Sequence, residues 1–242
     1  MKKNVFYLFL LLLNNVYSLE YSIIQEKIEN TVNNINLQIN EVYQNNKMFH
    51  FIVEEDDLIN EKKYINDIYF YKNNLTIKIS ETDKLLYHYI YNDEKFYEIV
   101  NNKKKFIKNQ NLINNSFFSF WWNFLNIDDI SNFIKIDNTY ICESEQENLL
   151  VKLLLDEYFN IIQLEIKAKE DIVRYKVIEN LKLQETDIYF PKHMYIYVDS
   201  VAIKENKILE GEIITLDEAK FDLSKYKKIS FIKSFIDYFD IQ

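Results

Sequence analysis

The residue types that most often carry chemistry are scattered in this chain. The histidines, His50, His88 and His193, lie among apolar neighbours, and neither a Cys nor a second His stands at metal-ligand spacing from any of them. Each histidine is therefore interpreted as a structural or surface residue. We expect no metal site.

Three common motifs of nucleophilic catalysis and nucleotide binding need glycine, and Gly211 is the sole glycine. A glycine-flanked serine, a phosphate loop and a dinucleotide fingerprint therefore cannot be built. We predict no catalytic residue, no cofactor and no enzyme. One alternative stays open, because a carboxylate pair for glycoside hydrolysis depends on a separation in space that the sequence does not fix.

Charge and composition exclude one class of partner and favour one domain. The net charge is −9 and Arg174 is the single arginine, which argues against a nucleic-acid partner. With 242 residues, 48% of them apolar, the chain can bury a sizeable core. One glycine and one proline leave no obvious linker, so we predict a single domain over residues 19–242.

The first eighteen residues have the pattern of a secretory signal. Lys2 and Lys3 precede the apolar run Val5–Leu13, and Val16-Tyr17-Ser18 suits a cleavage site. The run is too short to span a bilayer. Cys142 is the only cysteine, so a lipid anchor at the new N-terminus and an intramolecular disulfide are both excluded. We expect an exported, soluble protein cleaved after Ser18.

The elements that must position any site are predicted to be mainly strands. Segments rich in Ile, Tyr, Phe, Val and Leu have strand length. They are Met48–Glu54, Ile65–Tyr71, Leu75–Ile79, Leu85–Tyr91, Lys95–Val100, Lys105–Lys108, Asn138–Glu143, Leu149–Asp156, Ile161–Ala168, Ile172–Leu183, Asp187–Asp199 and Glu205–Leu216. Asn and Asp at Asn73-Asn74, Asn92-Asp93 and Asn101-Asn102 predict hairpin turns. Glu54–Asp57 is predicted to be a solvated loop, and Pro191 predicts an edge strand, a bulge or a break.

Several segments have helical patterns. Ile24, Ile28, Val32, Ile35 and Ile39 recur at helical spacing and predict one amphipathic helix. Residues 117–125 are apolar around the whole helical circumference, so this segment must be buried or cover an apolar hollow. A short helix from Asp128 to about Ile134 and a C-terminal amphipathic helix within residues 230–242 complete the prediction.

Four short stretches resemble the LolA-like family, the periplasmic carriers that move lipoproteins between bacterial membranes. Asp67–Leu75 is similar to that family's strand ending in a Lys-Arg-Pro-Asn turn, and Asn92–Ile99 to its Asp-Gly-Lys strand with a central Trp. Ile188–Met194 and Ala219–Leu223 are similar to its later strand and its closing Phe-x-Phe. The resemblance covers nearly all of the predicted mature chain.

The chain also departs from that family's pattern. Asn73 replaces the proline and Glu94 the glycine of the two turns, while Tyr97 stands where Trp is usual. Lys72 occupies the position of an interior arginine. Lysine keeps the charge but lacks the planar fork of arginine, which puts gating by that residue in doubt.

The resemblance implies a fold class of mainly β with helices (α+β), an incomplete antiparallel β-barrel capped by helices on its concave side. It implies a soluble periplasmic carrier, expected to be a monomer, that binds the acyl chains of lipoproteins or lipid and exchanges them with an inner-membrane donor complex and an outer-membrane acceptor. The predicted acyl-binding cavity comprises Ile68, Phe70, Lys72, Phe117, Phe120, Trp121, Trp122 and Phe124. Lys72 is expected to be partly buried, facing the hollow with Ile68 and Phe70.

A second hypothesis keeps the same fold and compartment without a ligand. In it, the core is filled and the protein is a non-catalytic exported interaction module that binds a protein partner through its outer face. The two hypotheses differ in whether the apolar interior accepts an acyl chain.

Overall fold

The computed structural model describes residues 26–27, 30–31, 33–92, 95–107, 132–146, 149–158, 160–168, 171–184 and 186–228. Residues 26–27, 30–31 and 33–44 are helical, and we call residues 33–44 helix α1. The described part of the amphipathic pattern is therefore helical, as predicted; Ile24, Ile28 and Val32 lie outside the described residues. Helix α1 ends where Asn46 adopts a positive φ of 52°, a conformation that Asn tolerates better than most residues.

Most of the described chain forms one sheet. Its strands are β1 (Lys47–Asp57), β2 (Lys62–Tyr71), β3 (Asn74–Glu81), β4 (Lys84–Asn92), β5 (Lys95–Val100), β6 (Lys103–Ile107), β7 (Asn132–Ile136), β8 (Thr139–Gln146), β9 (Leu149–Leu155), β10 (Ile161–Ala168), β11 (Asp171–Lys182), β12 (Tyr189–Val198), β13 (Val201–Thr215) and β14 (Lys227–Lys228). The predicted strands are confirmed, with shifts of a few residues at their ends.

The sheet is antiparallel and open. Its order is β14-β6-β5-β4-β3-β2-β1-β13-β12-β11-β10-β9-β8-β7, and only the two-residue β14 runs parallel to its neighbour among the described pairs. Long-range pairing of β1 with β13 joins two meanders, β1–β6 and β7–β13. Because β7 and the β6–β14 pair lie at opposite edges in this order, the sheet does not close.

Asn and Asp replace glycine in the tight turns. Thr82-Asp83, Asn101-Asn102 and Asp199-Ser200 each have positive φ at both residues, which is the pattern of the type I′ hairpin. The predicted turn at Asn101-Asn102 is confirmed. The turn predicted at Asn73-Asn74 comes one residue earlier, at Lys72-Asn73, because Asn74 already pairs with Tyr71.

The acidic run Glu54–Asp57 is not a loop, so that prediction was wrong. Strand β1 continues through Asp57 because lysines on the neighbouring strands accompany the run. Each acidic residue has a lysine either directly opposite it or one residue away from the opposite position. The Lys63 Nζ lies 3.1 Å from Glu54 Oε1 and 3.4 Å from Asp56 Oδ1. Opposite charges on adjacent strands stabilise the pairing that local charge density alone argues against.

The predicted short helix to Ile134 was also wrong in its described part. Asn132–Ile136 is strand β7, and Phe133 pairs with Cys142 of β8. Non-local pairing overrides a weak local preference here. At Pro191 the register between β11 and β12 shifts, and the pairing of β12 with β13 begins only at His193, so the predicted irregularity is confirmed.

Candidate functional site on the apolar face of the sheet

One face of the sheet carries most of the buried apolar side chains, and we call it the apolar face. Alternation along β1 places Phe49, Phe51 and Val53 on it, while Met48 and His50 point to the opposite, polar face. On β13, Ile208 pairs with Val53 of β1. Two residues away on the same strand, Asn206 pairs with Glu55 of β1 on one side and with Met194 of β12 on the other. The register therefore continues the apolar face from β1 across β13 to β12.

Helix α1 covers one part of this face. We call this part the α1 cluster; its buried members are Val42, Tyr43, Phe49, Phe51, Val53, Ile68, Leu75, Leu183, Ile188, Phe190 and Ile208. Aromatic rings dominate it: the Tyr43 ring meets that of Phe49 edge-on at 5.9 Å, and the Phe51 and Phe190 rings lie 4.8 Å apart. Such contacts stabilise a core beyond their buried area. This part of the face is a filled core.

Tyr43 fixes the end of α1 against the β2–β3 hairpin. Its ring also packs edge-on against Tyr71 at 5.2 Å, and its hydroxyl is within hydrogen-bonding reach of the Lys72 backbone. Burial is the main cause that raises the pKa of the Tyr43 hydroxyl above its usual range. The hydroxyl therefore stays neutral in this core.

Gly211 lies where the α1 cluster leaves no room for a side chain. A Cβ added there would stand 2.8 Å from Leu181 Cδ2 and 3.1 Å from the Phe51 ring. Leu181 belongs to β11, two strands away from β13. This approach means that the side chains of the apolar face converge at Gly211, as on the inner side of a curved sheet.

A second cluster lies farther along the same face, and we call it the β8–β12 cluster. Its buried members are Tyr140, Cys142, Val151, Leu153, Leu155, Ile161, Leu164, Val177 and Met194. All of them come from strands, and α1 contributes none. Burial raises the pKa of the Cys142 thiol to about 12, so this side chain behaves as a small neutral apolar group.

The β8–β12 cluster differs from the α1 cluster in chemistry. Leu, Val and Met predominate, whereas the α1 cluster is rich in phenylalanine. A face of methyl and methylene groups along five strands is the kind of wall that acyl chains can contact. It makes the β8–β12 cluster the candidate ligand-binding part of the apolar face.

The predicted cavity residues fall into three groups. Ile68 is buried in the α1 cluster and Phe70 packs against it, so the structure brings these two together on the apolar face. Phe117, Phe120, Trp121, Trp122 and Phe124 lie outside the described residues, as do the predicted helix over residues 117–125, the signal peptide and the C-terminal helix. Lys72 differs from the expectation.

Lys72 is not partly buried, so that prediction was wrong. It lies exposed in the hairpin turn with a φ of 52°, because β2 ends at Tyr71. Its Nζ stands 5.0 Å from the centroid of the Tyr71 ring. The predicted contact of Lys72 with an acyl chain remains a prediction.

Sequence reasoning missed most of the β8–β12 cluster. Leu153 and Leu155 lie in Leu149–Leu155, a strand whose residues are all apolar except Lys152, which was the available signal. Cys142 and Met194 carried no such signal, because single apolar residues in alternating strands look alike. Their joint position depends on the register of β8 to β12.

The polar face holds a network around His50. The His50 Nδ1 lies 2.9 Å from Glu212 Oε1, and its Nε2 lies 2.9 Å from Asp67 Oδ1. Two carboxylates on opposite ring nitrogens cannot ligate one metal ion together with that ring. In the described ranges, no group of three or more His, Cys, Asp and Glu is arranged to hold a metal ion.

His193 and His88 have different surroundings. His193 Nε2 lies 2.7 Å from Glu205 Oε1, which the Lys207 ammonium also approaches at 2.8 Å. Hydrogen bonds, that of Lys207 the largest, lower the pKa of the Glu205 carboxyl to about 2. His88 is buried, and its Nε2 has no hydrogen-bond partner. Burial, with Lys78 nearby, lowers the pKa of His88 to about 4.

The segment after β13 packs on the polar face behind the α1 cluster. Phe221 packs with Met48 and Tyr69, and the Thr76 hydroxyl donates to the Lys220 carbonyl at 2.7 Å. The Tyr226 ring meets His88 edge-on at 6.0 Å. Both faces of this half of the sheet are therefore covered.

Comparisons with known proteins agree on the fold. No protein-family model and no curated protein sequence matches this chain. A DUF1329 family protein from Desulfovibrio piger matches with a TM-score of 0.54 and 9% identity, covering 79% of this chain and 95% of that one. An outer membrane lipoprotein-sorting protein domain from Vibrio parahaemolyticus matches with a TM-score of 0.52 and 9% identity, covering 77% and 95%.

At this identity the similarity is one of fold. The open antiparallel sheet with a helix on its apolar face is the fold of the lipoprotein-sorting domain, so the predicted fold class is confirmed. Among the described residues, no helix is long and apolar enough to cross a membrane.

Proposed function

We propose that this chain is a soluble periplasmic carrier that binds the acyl chains of lipoproteins, or lipid, on the apolar face of its sheet. The observation that carries the proposal is the β8–β12 cluster, a mainly aliphatic face whose described buried members all come from strands. The fold similarity to a lipoprotein-sorting domain supports it.

Burial of apolar surface would supply the affinity. Each methylene removed from water contributes ~0.8 kcal/mol, so even one long acyl chain gains a large free energy if a wall of this kind covers it. Apolar contact is also insensitive to ionic strength, whereas exposed charge pairs are screened within ~8 Å at physiological salt. We therefore expect acyl binding that depends little on salt.

The proposed site combines described and undescribed residues. The described part of the site is the β8–β12 cluster, which includes Leu153, Leu164 and Met194. Phe117, Phe120, Trp121, Trp122 and Phe124 are proposed to contact the ligand, as are Ile68, Phe70 and Lys72 from the β2–β3 hairpin. An inner-membrane donor complex and an outer-membrane acceptor are the proposed exchange partners.

The test is retention of a fatty-acyl dye and of co-purified acyl material. Wild type is compared with Trp121→Asp, Trp122→Asp and Leu164→Asn, each checked for folding by circular dichroism. We expect each change to weaken dye binding at least tenfold, because a charge or an amide would stand unpaired against the chain. Leu209→Asn is the matched control, since Leu209 is 53% exposed.

Two results would contradict the carrier. One is no retention of acyl material by wild type at any salt concentration, and the other is equal retention by all three folded variants. The second candidate would then take first place: a non-catalytic interaction module with a filled core. The dense aromatic packing of the α1 cluster is the observation that favours it.

A further inference from the structure

The polar residue Asn206 lies on the apolar face, and its side-chain oxygen is a hydrogen-bond acceptor without a donor. Only 7% of Asn206 is exposed, and its Oδ1 has no hydrogen-bond partner. Its cross-strand neighbours are Met194 on β12 and Glu55 on β1. A thioether has no hydrogen to donate, and an ionised carboxylate only accepts. Neither neighbour can satisfy the amide oxygen.

The face changes from apolar to charged side chains at Asn206. Ile208, two residues along β13, belongs to the α1 cluster, and Met194 belongs to the β8–β12 cluster. In the other direction, Lys204 donates to Glu55 with an Nζ–Oε1 distance of 2.6 Å. The amide therefore stands at the border between two apolar clusters and an ion pair.

A surface that is apolar on one side and charged on the other matches an amphiphile. An acyl chain would lie along the β8–β12 cluster, and its polar end would reach the border. A buried acceptor that lacks a donor costs free energy unless a ligand supplies the hydrogen. The geometry therefore selects a ligand whose polar end donates.

We propose that Asn206 Oδ1 accepts a hydrogen bond from the polar end of the bound acyl compound, so that the chain prefers acyl ligands with a hydroxyl or amide hydrogen next to the acyl chain. This inference rests on the proposed acyl-binding function. It adds a specificity-determining residue to a site that otherwise recognises hydrocarbon alone.

The experiment uses the full chain and three ligands of equal acyl length. They are a monoacylglycerol with hydroxyl donors, an N-acylglycine methyl ester with an amide donor, and a fatty-acid methyl ester with no donor. Dissociation constants are measured by displacement of a fatty-acyl dye. We expect wild type to bind at least one donor ligand about tenfold more tightly than the fatty-acid methyl ester.

Asn206→Leu should abolish this preference and leave the affinity for the fatty-acid methyl ester unchanged. Asn66→Leu is the matched control, because Asn66 is a buried asparagine on the same face, 8% exposed, with no side-chain atom both buried and unpartnered. It should keep the preference. Tighter binding of the glycerol ester alone identifies a lipid hydroxyl, and tighter binding of the amide alone identifies an N-acylated amine; either result supports the inference.

The possible outcomes distinguish failure of the Asn206 inference from failure of the proposed carrier function. Equal binding of all three ligands by wild type overturns the role of Asn206 and leaves the acyl carrier standing. Binding of none of them overturns the carrier itself. A folded Asn206→Leu variant that keeps the wild-type preference also overturns the inference.

Discussion

The two clusters of the apolar face are built differently although one sheet carries both. The α1 cluster is closed by Val42 and Tyr43 of a helix and filled by phenylalanine rings. The described members of the β8–β12 cluster are mainly aliphatic, and all of them are strand residues. Among the described residues, a helix therefore covers one part of the sheet with aromatic side chains, while the other part is a wall formed by strands. We make four predictions, and the first two test this contrast directly.

The largest effect is expected from Phe51→Ala. Phe51 is fully buried, and its loss should cost about 3–5 kcal/mol of unfolding free energy through lost contacts and a cavity. Leu164→Ala in the other cluster should cost about 2–5 kcal/mol. Urea unfolding with and without a monoacylglycerol separates the two. The ligand should stabilise Phe51→Ala as much as wild type, because the β8–β12 wall is intact in that variant, and Leu164→Ala less, because the change weakens the wall. Equal stabilisation of both variants would break the contrast.

Gly211→Ala should come next, at about 1–3 kcal/mol, because its new methyl group would overlap Leu181 in an already filled core. The double variant Gly211→Ala/Leu181→Ala should be less destabilised than the sum of its single changes, since the second change makes room. Thermal or urea unfolding of the four proteins measures this coupling. Strict additivity would mean that the α1 cluster is looser than its contacts indicate.

The third prediction concerns the polar face behind the α1 cluster, where His88 lies among Lys78, Lys225, Asp67 and Tyr226. Its pKa is lowered from 6.5 to about 4, so between these values the unfolded chain binds a proton that the folded chain does not. Stability is therefore full above pH 6.5 and falls as the pH decreases towards 4.

His88→Leu should remove this part of the acid sensitivity. From pH 7 to pH 5 we expect wild type to lose on the order of 1 kcal/mol more than the variant, after discounting for partial access of solvent. Urea midpoints at both pH values provide the measurement, with His193→Leu as a histidine control. An equal loss in wild type and His88→Leu would show that His88 does not titrate in this range.

The smallest effect on stability is expected at Lys72, which is exposed in the β2–β3 turn. Lys72→Leu should change the unfolding free energy by no more than about 0.5 kcal/mol. If Lys72 contacts the acyl ligand as proposed, the release rate of a fatty-acyl dye should change more than stability does. Unaltered release by the folded variant would remove Lys72 from the proposed site.

Local patterns predicted much of this molecule. Alternation of Ile, Tyr and Phe with polar residues located the strands, and Asn101-Asn102 marked a hairpin, because pleating and positive φ are properties of short segments. The spacing of Ile35 and Ile39 likewise predicted an amphipathic helix, which packs as α1. These features depend on residues within one or two turns of each other.

Tertiary structure alone decided which residues share the candidate site. The Glu54–Asp57 run became strand because lysines on β2 and β13 lie opposite three of its four carboxylates, and Asn132–Ile136 became strand because β8 pairs with it. Lys72 became exposed when the turn fell one residue early. The unpartnered oxygen of Asn206 depends on the register that sets Met194 and Glu55 beside it. Such register is a non-local property, and a shift of one residue would move every side chain to the other face.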